Sequence, residues 1–178
     1  MEDKRNLIDE FKNLTNEVVF DALEQRRNDL EVALFNVTHD FNMGTIVRNA
    51  NNFNVQAVHI IGRRKYNRRG AMCTDKYLRI VYHATVAEFL AQQREQKRVL
   101  VAVENNVPRA RALQEIKFSD KTTLIFGSES DGLSEELLAV ADDVCYIESF
   151  GSTRSVNVGV AAGIVMYEWV RRRVLSRE

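Results

Sequence analysis

Cysteine is scarce in this sequence of 178 residues, and the shortage disfavours two kinds of protein. Cys73 and Cys145 lie far apart and have no histidine or second cysteine at the spacing of metal ligands. A secreted disulfide scaffold and a zinc site are therefore both poor matches, whereas free thiols in a reducing compartment fit well. We expect a cytoplasmic protein that holds no metal ion.

Long apolar runs are also missing. No stretch approaches the roughly 18 consecutive apolar residues that a membrane-spanning helix needs. Residues 1–5 are mostly charged and lead into no apolar segment, which argues against a secretory signal. The sequence therefore predicts neither membrane insertion nor secretion.

An excess of charge of either sign is absent as well, because 25 basic and 25 acidic residues give a formal net charge of zero. The balance disfavours a protein that holds nucleic acid by its overall charge. Charge is nevertheless segregated in the basic segment, residues 62–79, where Asp75 is the single acid. Its basic residues are Arg63, Arg64, Lys65, Arg68, Arg69, Lys76 and Arg79. Two interpretations stay open: a solvated loop, or RNA contact in which Tyr66 and Tyr77 stack on bases.

Short apolar runs alternate with helical patterns along the chain. A hydrophobic content of 45% at this length allows one well-buried core, so we expect a single domain over 1–178, with 1–28 as an N-terminal helical extension. Helices are predicted over 3–13, 15–27, 43–53, 86–94, 134–141 and 156–174. Strands are predicted over 32–35, 57–61, 99–103, 122–126 and 144–147. The alternation predicts an α/β fold in which a mostly parallel sheet carries helices on both faces.

Ligands of such sheets bind beyond the carboxyl ends of the strands, so the loops after those ends are the places to search. Familiar loop motifs are missing from them. No Gly-x-Gly-x-x-Gly follows the first strand, and neither a Walker A motif nor a Gly-x-Ser-x-Gly motif occurs. A dinucleotide-dependent dehydrogenase, a P-loop enzyme and a serine hydrolase are therefore poor matches.

A polar segment follows the first strand. Asn42 is expected to cap the helix that comes next. Arg48 lies two turns into that helix beside apolar residues, where a charge either reaches solvent or meets a partner. His39 is interpreted as an ordinary loop histidine.

Two further polar segments follow later strands. Gly127 and Gly132 let backbone groups face a ligand, and Glu129 between them is either a surface acid or the partner of an amine or an arginine. Ser155 precedes the last helix, either as its N-cap or as a group that binds a ligand, and Asn157 stands beside it.

The chain resembles the SpoU/TrmH branch of the SPOUT RNA methyltransferases over roughly residues 30 to 174. The resemblance rests on three motifs in the same order: Asn42-x-Gly44-x-x-x-Arg48, then Phe126-Gly127-Ser128-Glu129-x-x-Gly132-Leu133-Ser134, then Ser155-Val156-Asn157-Val158 with Ala161-Ala162-Gly163. The last motif is most similar to that of tRNA guanosine 2′-O-methyltransferases, although rRNA enzymes share most of it.

The resemblance implies a sheet whose C-terminal part is tied in a deep trefoil knot, and a homodimer that methylates a ribose 2′-hydroxyl of RNA with S-adenosylmethionine. The cofactor would be bound by Val103, Gly127, Ile147, Ser155 and Val156. The catalytic residues would be Asn42, Arg48, Glu129, Ser155 and Asn157. The clustering of Arg63, Arg64, Arg68 and Arg69 suggests the RNA contact. A tRNA substrate is favoured; an rRNA methyltransferase, a non-catalytic knotted RNA-binding module and a small-molecule methyltransferase are the alternatives.

Overall fold

The centre of the fold is a parallel sheet of seven strands, in a computed structural model that describes residues 3–62 and 68–177, with the backbone alone for Arg68, Arg69 and Arg177. The strands are β1 (Asn28–Phe35), β2 (Val55–Ile61), β3 (Ile80–His83), β4 (Val99–Val103), β5 (Arg111–Ala112), β6 (Thr122–Phe126) and β7 (Asp143–Tyr146). Their order is β3-β2-β1-β6-β4-β7-β5, and every neighbouring pair is parallel. The predicted α/β class with a mostly parallel sheet is confirmed.

Helices cover both faces of the sheet. They are α1 (Asn16–Glu24), α2 (Asp40–Asn52), α3 (Val86–Glu95), α4 (Glu135–Val140) and α5 (Val158–Arg173). Side chains alternate along each strand, so Val32 of β1 joins the core beneath α2 and α5, whereas Ala33 joins the core beneath α3 and α4. The predicted placement of helices on both faces is confirmed.

The sequence pattern located the central strands better than the short edge strands, although it found only the C-terminal parts of β1 and β2. The bounds predicted for β4 and β6 agree with the structure. The edge strands β3 and β5 were not predicted, because four and two residues are too few to show a period. Short strands are typical of sheet edges, which they protect from pairing with other chains.

The predicted helix over residues 3–13 is wrong. Only a 3-10 turn, Asp9–Phe11, forms there. The Asp3 carboxylate accepts hydrogen bonds from the backbone N–H groups of Arg5, at 3.0 Å, and Asn13, at 2.8 Å, which folds the segment back on itself. Asn13 also adopts a φ of 64°, in the left-handed region, where an α-helix cannot continue.

The predicted helix over 15–27 is confirmed as the shorter α1. The Thr15 hydroxyl caps it by accepting a hydrogen bond from the N–H of Val18 at 3.4 Å. Val19 of α1 forms a small buried cluster with Phe11 and Tyr77, outside the two main cores. The predicted extension ends at residue 28, where β1 begins. That 1–178 forms one domain with this extension stays a prediction.

The C-terminal segment crosses the sheet edge on its way to the last helix. Strands β6 and β4 separate β7 from β1, yet α5, which follows β7, lies against α2. The Asn49 amide on α2 donates a hydrogen bond to the carbonyl oxygen of Gly159 on α5 at 3.3 Å. The crossing is compatible with the threaded C-terminus that the resemblance implies, and the knot itself stays a prediction.

Within residues 3–62 and 68–177, no helix is both long and apolar enough to cross a membrane.

Candidate functional site

A cleft of about 570 Å³ opens at the carboxyl ends of β4, β6 and β7. This is the edge at which parallel α/β sheets bind ligands, and the volume lies in the usual range for small-molecule sites. The loops after all three strands and the start of α5 form its wall. The cleft residues from the segments predicted to carry function are Val103, Phe126, Gly127, Ser128, Glu129, Ser130, Asp131, Gly132, Leu133, Ile147, Ser155, Val156, Asn157 and Val158.

The structure brings the predicted cofactor residues together in this cleft. Val103, Gly127, Ile147, Ser155 and Val156 all line it. Val103 ends β4 directly beside Phe126, the last residue of β6, so Gly127 follows at the same level of the sheet. Their role in binding a cofactor stays a prediction.

The glycines of the second motif are needed to fold the loop between β6 and α4. Ser128 and Gly132 exchange two backbone hydrogen bonds of 3.1 Å, which close the loop on itself. Gly132 has a φ of 67°, and a methyl group on Gly127 would overlap the Gly132 backbone. A side chain at either position would therefore force the loop open.

Three of the predicted catalytic residues are linked by hydrogen bonds at the mouth of the cleft. The Asn42 side-chain amide donates to Glu129 Oε1 at 2.6 Å, and the Asn157 amide donates to Asn42 Oδ1 at 2.9 Å. Asn157 Oδ1 in turn accepts from the N–H of Gly159 at 2.9 Å and so caps α5. One residue from each of the three motifs thus forms a continuous chain, although the motifs lie far apart in the sequence.

The Glu129 carboxylate is held in its ionised form. Thr38 donates to Oε2 through both its backbone N–H, at 3.0 Å, and its hydroxyl, at 2.9 Å. Partial burial raises the pKa of Glu129, but the hydrogen bonds from Asn42 and Thr38 together outweigh it and lower the pKa to about 2. Glu129 therefore accepts hydrogen bonds that position Asn42 and Thr38, and it is a weak base near neutral pH.

Arg48 and Ser155 stand apart from this hydrogen-bonded chain. Arg48 is exposed on α2, six residues and hence about 9 Å along the helix axis from Asn42. Among the described residues it has no hydrogen bond and no ion pair. Ser155 is exposed on the wall of the cleft. Both side chains can therefore meet a ligand.

Two expectations about helix caps need correction. Helix α2 begins at Asp40, after His39 at the N-cap, so Asn42 lies in its first turn and does not cap it. Asn157, and not Ser155, caps α5. Because α2 begins at Asp40, the Asn42 side chain is not needed as its cap. It forms hydrogen bonds with Glu129 and Asn157 instead.

The structure describes little of the predicted RNA contact. Arg63, Arg64 and Tyr66 lie outside the described residues, and Arg68 and Arg69 are described by their backbone alone, in a 3-10 turn. Tyr77 is 6% exposed, so the interpretation that it stacks on bases is wrong. Its ring completes the apolar cluster under the N-terminal extension.

Sequence reasoning missed two residues of the site, Thr38 and Glu104. Glu104 follows β4 and lines the cleft, where Oε1 accepts from the N–H of Asn105 at 2.9 Å and Oε2 from the N–H of Leu133 at 3.3 Å. Glu104 therefore ties the loop after β4 to the loop after β6. In the sequence, Glu104 could have been found by its position directly after the buried strand β4. Thr38 could have been found in the same way, because it follows β1 closely.

Comparison with known proteins points to one family. A tRNA (guanosine(18)-2′-O)-methyltransferase of Thermus thermophilus is 31% identical over 86% of this chain and 80% of its own length. The enzyme of the same name from Escherichia coli is 27% identical over 87% of this chain and 69% of its own length. A crystal structure of an A. aeolicus TrmH/SpoU tRNA modifying enzyme superposes with a TM-score of 0.80 at 27% identity, covering 90% of this chain and 83% of that one.

The sequence profile of one family spans most of the chain. It is the profile of the SpoU rRNA Methylase family, and it matches residues 29–167. The matched range contains the three motifs and all the sheet strands except the first residue of β1. This chain belongs to the SpoU rRNA methylase family.

Proposed function

We propose that this chain transfers a methyl group from S-adenosylmethionine to a ribose 2′-hydroxyl of RNA, with a tRNA guanosine as the favoured acceptor. The observation that carries the proposal is the hydrogen-bonded chain of Glu129, Asn42 and Asn157 beside the cleft. It joins one residue of each motif at the edge of the sheet where ligands bind. An rRNA acceptor is the alternative, and the name of the family favours it.

The residues of the cleft fit the proposed methyl donor. Glu104, Glu129 and Asp131 line it, so its field favours a ligand that carries positive charge, as a sulfonium and an ammonium group do. The turn closed by Gly127 and Gly132 brings backbone groups close to a ligand without intervening side chains. When bound, S-adenosylmethionine supplies an electrophilic methyl group on sulfur.

Glu129 orients the groups around it. Because its pKa is low, Glu129 stays ionised near neutral pH and is a poor acceptor for the proton of the ribose hydroxyl. Through the Asn42 amide it fixes the orientation of Asn157, and the Asn157 oxygen is already used by α5. The three side chains thus form a rigid wall against which a ribose is placed.

Arg48 is the residue that meets the reacting hydroxyl. A guanidinium group holds its proton firmly near neutral pH, so Arg48 is a poor general base. Its N–H donors, unpaired among the described residues, suit the developing alkoxide and an adjacent RNA phosphate. We therefore assign Arg48 to charge stabilisation, with the proton leaving by another route; a deprotonated Arg48 acting as base is the competing account.

The basic segment supplies the contact with RNA phosphates. Arg63, Arg64, Arg68 and Arg69 lie close together in the sequence and would release counterions when they meet the backbone. Neutralising them should weaken RNA binding and flatten its dependence on salt. An unchanged salt slope would return these residues to the solvated-loop interpretation.

A second copy of the chain is the proposed protein partner. Val160, Ile164 and Tyr167 form an exposed apolar stripe on α5, with 51%, 39% and 51% of their surfaces accessible. Their spacing places them on one face of the helix. Ile164→Glu should shift the sedimentation coefficient from dimer to monomer; a protein that sediments as a monomer before substitution would contradict the proposal.

The proposed activity is tested by methyl incorporation. The protein is incubated with labelled S-adenosylmethionine and total RNA from a strain that lacks it, and the labelled nucleoside is then mapped. We expect label in a single 2′-O-methylated nucleoside of tRNA. RNA binding without incorporation would support the non-catalytic module instead, and label outside RNA would support a small-molecule methyltransferase.

A further inference from the structure

The middle of the basic segment lies directly on α2. Gly70 belongs to the 3-10 turn Arg68–Ala71, and its backbone touches that of Gly44 on α2. A methyl group on Gly44 would lie 2.5 Å from the Cα and carbonyl carbon of Gly70, and one on Gly70 would lie 3.2 Å from the Gly44 Cα. At 2.5 Å a methyl group on Gly44 does not fit, whereas at 3.2 Å one on Gly70 fits only if the α2 backbone shifts by a few tenths of an ångström.

The residues that follow Gly70 hold a strained conformation. Met72 has a φ of 49° and Cys73 a φ of 63°, and each costs on the order of 1–2 kcal/mol in the left-handed region. Ala71 beside them is fully buried, and the Thr74 hydroxyl donates to its carbonyl oxygen at 2.6 Å. Such strain persists only where the surrounding contacts determine the path of the chain, so residues 70–74 have a fixed course over α2.

The next residues are anchored on the opposite side, by the N-terminal extension. The Tyr77 hydroxyl donates to Asn16 Oδ1 at 3.1 Å, and the Arg27 guanidinium donates to the Tyr77 carbonyl oxygen at 2.9 Å. The Arg27 side chain is 1% exposed. Residues 70–77 are therefore clamped between α2 and the extension.

This clamp joins Arg68 and Arg69 to α2, the helix that carries Asn42 and Arg48. Arg68 and Arg69 immediately precede Gly70, and Gly70 lies against the turn of α2 that contains Asn42. We propose that the contact between Gly44 and Gly70 is a positioning contact for RNA, which holds the backbone of Arg68 and Arg69 where phosphates next to the target ribose meet α2. The inference rests on the proposed RNA methyltransferase function, and it gives the glycine of the first motif a role separate from the chemistry.

The test compares Gly44→Ala and Gly70→Ala with the unchanged protein. The methyl group of Gly44→Ala forces the two backbones apart, so the affinity for a tRNA transcript, measured by fluorescence anisotropy, should fall at least about tenfold, and the salt slope should decrease by about 1 to 2. Gly70→Ala needs only a small shift of the backbone, so its loss of affinity should be smaller, about threefold, in the same direction. KM for RNA should rise while kcat at saturating RNA falls much less. The calorimetric Kd for S-adenosylmethionine should stay unchanged, because neither glycine lines the cleft.

Ala50→Gly is the matched control. It weakens α2 by about 1 kcal/mol at a buried position away from Gly70 and should leave KM for RNA and the salt slope unchanged. Should Gly44→Ala fail to fold, Gly70→Ala, in a half-buried turn, carries the test alone. An unchanged RNA affinity, or a loss of S-adenosylmethionine affinity in parallel, would overturn the proposal. Because anisotropy needs no methyl transfer, a failure of the proposed activity is recognised separately.

Discussion

Two polar networks, each built around a glutamate, occupy opposite environments in this protein. The open cluster, Thr38, Asn42, Glu129 and Asn157, lies at the carboxyl edge of the sheet beside the cleft. The sealed network lies inside the core beneath α3 and consists of Glu31, His59, His83, Gln93, Arg98 and Thr123. A hydrogen-bonded glutamate therefore occurs once where a ligand can reach it and once where solvent is excluded.

The sealed network satisfies its own members. His59 bonds to Glu31 through Nε2 and to His83 through Nδ1, each at 2.9 Å, and Arg98 approaches Glu31 at 3.1 Å. Burial raises the pKa of Glu31, but His59 and Arg98 together outweigh it, so the pKa lies below the ordinary value. With exposures of 5% or less for the two histidines and Glu31, no ligand reaches the network. A buried, fully paired network holds a fold together.

The largest expected effect is a loss of methyl transfer without a loss of cofactor binding, when Arg48 beside the open cluster is replaced. Arg48→Ala should lower kcat for methyl transfer about 100- to 1,000-fold, because the developing charge on the ribose oxygen loses its donor. The calorimetric affinity for S-adenosylmethionine should be nearly unchanged, since Arg48 does not line the cleft. Arg48→Lys, which keeps the charge without the planar fork, should recover part of the rate. Equal losses of transfer and cofactor affinity would contradict this division.

The second-largest expected effect is a loss of folding stability when the sealed network is broken. Glu31→Gln leaves the Arg98 guanidinium without its counter-charge in the core, and the free energy of unfolding should fall by about 3 kcal/mol. Urea unfolding gives this value. Methyl transfer per folded molecule should be unchanged; a selective loss of kcat in a stable Glu31→Gln protein would mean that the two networks are coupled.

A pair of isosteric substitutions sharpens the contrast. Thr123→Val removes a buried hydroxyl that donates to Gln93 and accepts from Arg98, and should cost about 1 to 3 kcal/mol of stability without a change in kcat. Thr38→Val removes one donor to Glu129 and should lower kcat about fivefold, which corresponds to about 1 kcal/mol, with little change in stability. Thermal melts measure the first effect and rate assays the second. A loss of kcat in Thr123→Val, or a large loss of stability in Thr38→Val, would refute the distinction between the networks.

The smallest expected effect is a loss of stability in mild acid. Burial, followed by the neighbouring His59, lowers the pKa of His83 below 6.5, against the opposing pull of Glu88 and Glu31. The unfolded chain therefore takes up this proton first, so stability is fully present above pH 6.5 and declines as the pH falls below it. Melting temperatures between about pH 7.5 and pH 5.5 measure the decline. A flat profile, or one identical in His83→Gln, would contradict the assignment.

Much of the open cluster could be predicted from the sequence, because its residues belong to polar segments that lie between buried strands and the helices after them. Asn42, Glu129 and Asn157 were identified by motif order, and the structure joins them by hydrogen bonds. Their exact partners could not be predicted, since the link from Asn42 to Asn157 spans 115 positions and depends on the crossing of the C-terminal segment. The role of Asn42 as a helix cap was predicted wrongly because α2 begins two residues earlier, at Asp40.

The sealed network escaped prediction altogether. Glu31 and His59 stand among the buried apolar residues of β1 and β2, and a polar residue in such a place does not reveal a partner on another strand. Gln93 faces them from α3, 62 positions away from Glu31. Networks of this kind are visible only when tertiary structure brings their members together, whereas strand ends mark a ligand site in the sequence itself.

In the proposed reaction, a ribose hydroxyl accepts the methyl group at the open cluster. This step is tested with two versions of the mapped RNA substrate, one natural and one with a 2′-deoxyribose at the modified nucleotide alone. The labelled methyl group should be transferred to the natural RNA, and transfer to the deoxy version should be abolished, while both RNAs bind equally well. Equal methylation of the two RNAs would contradict it.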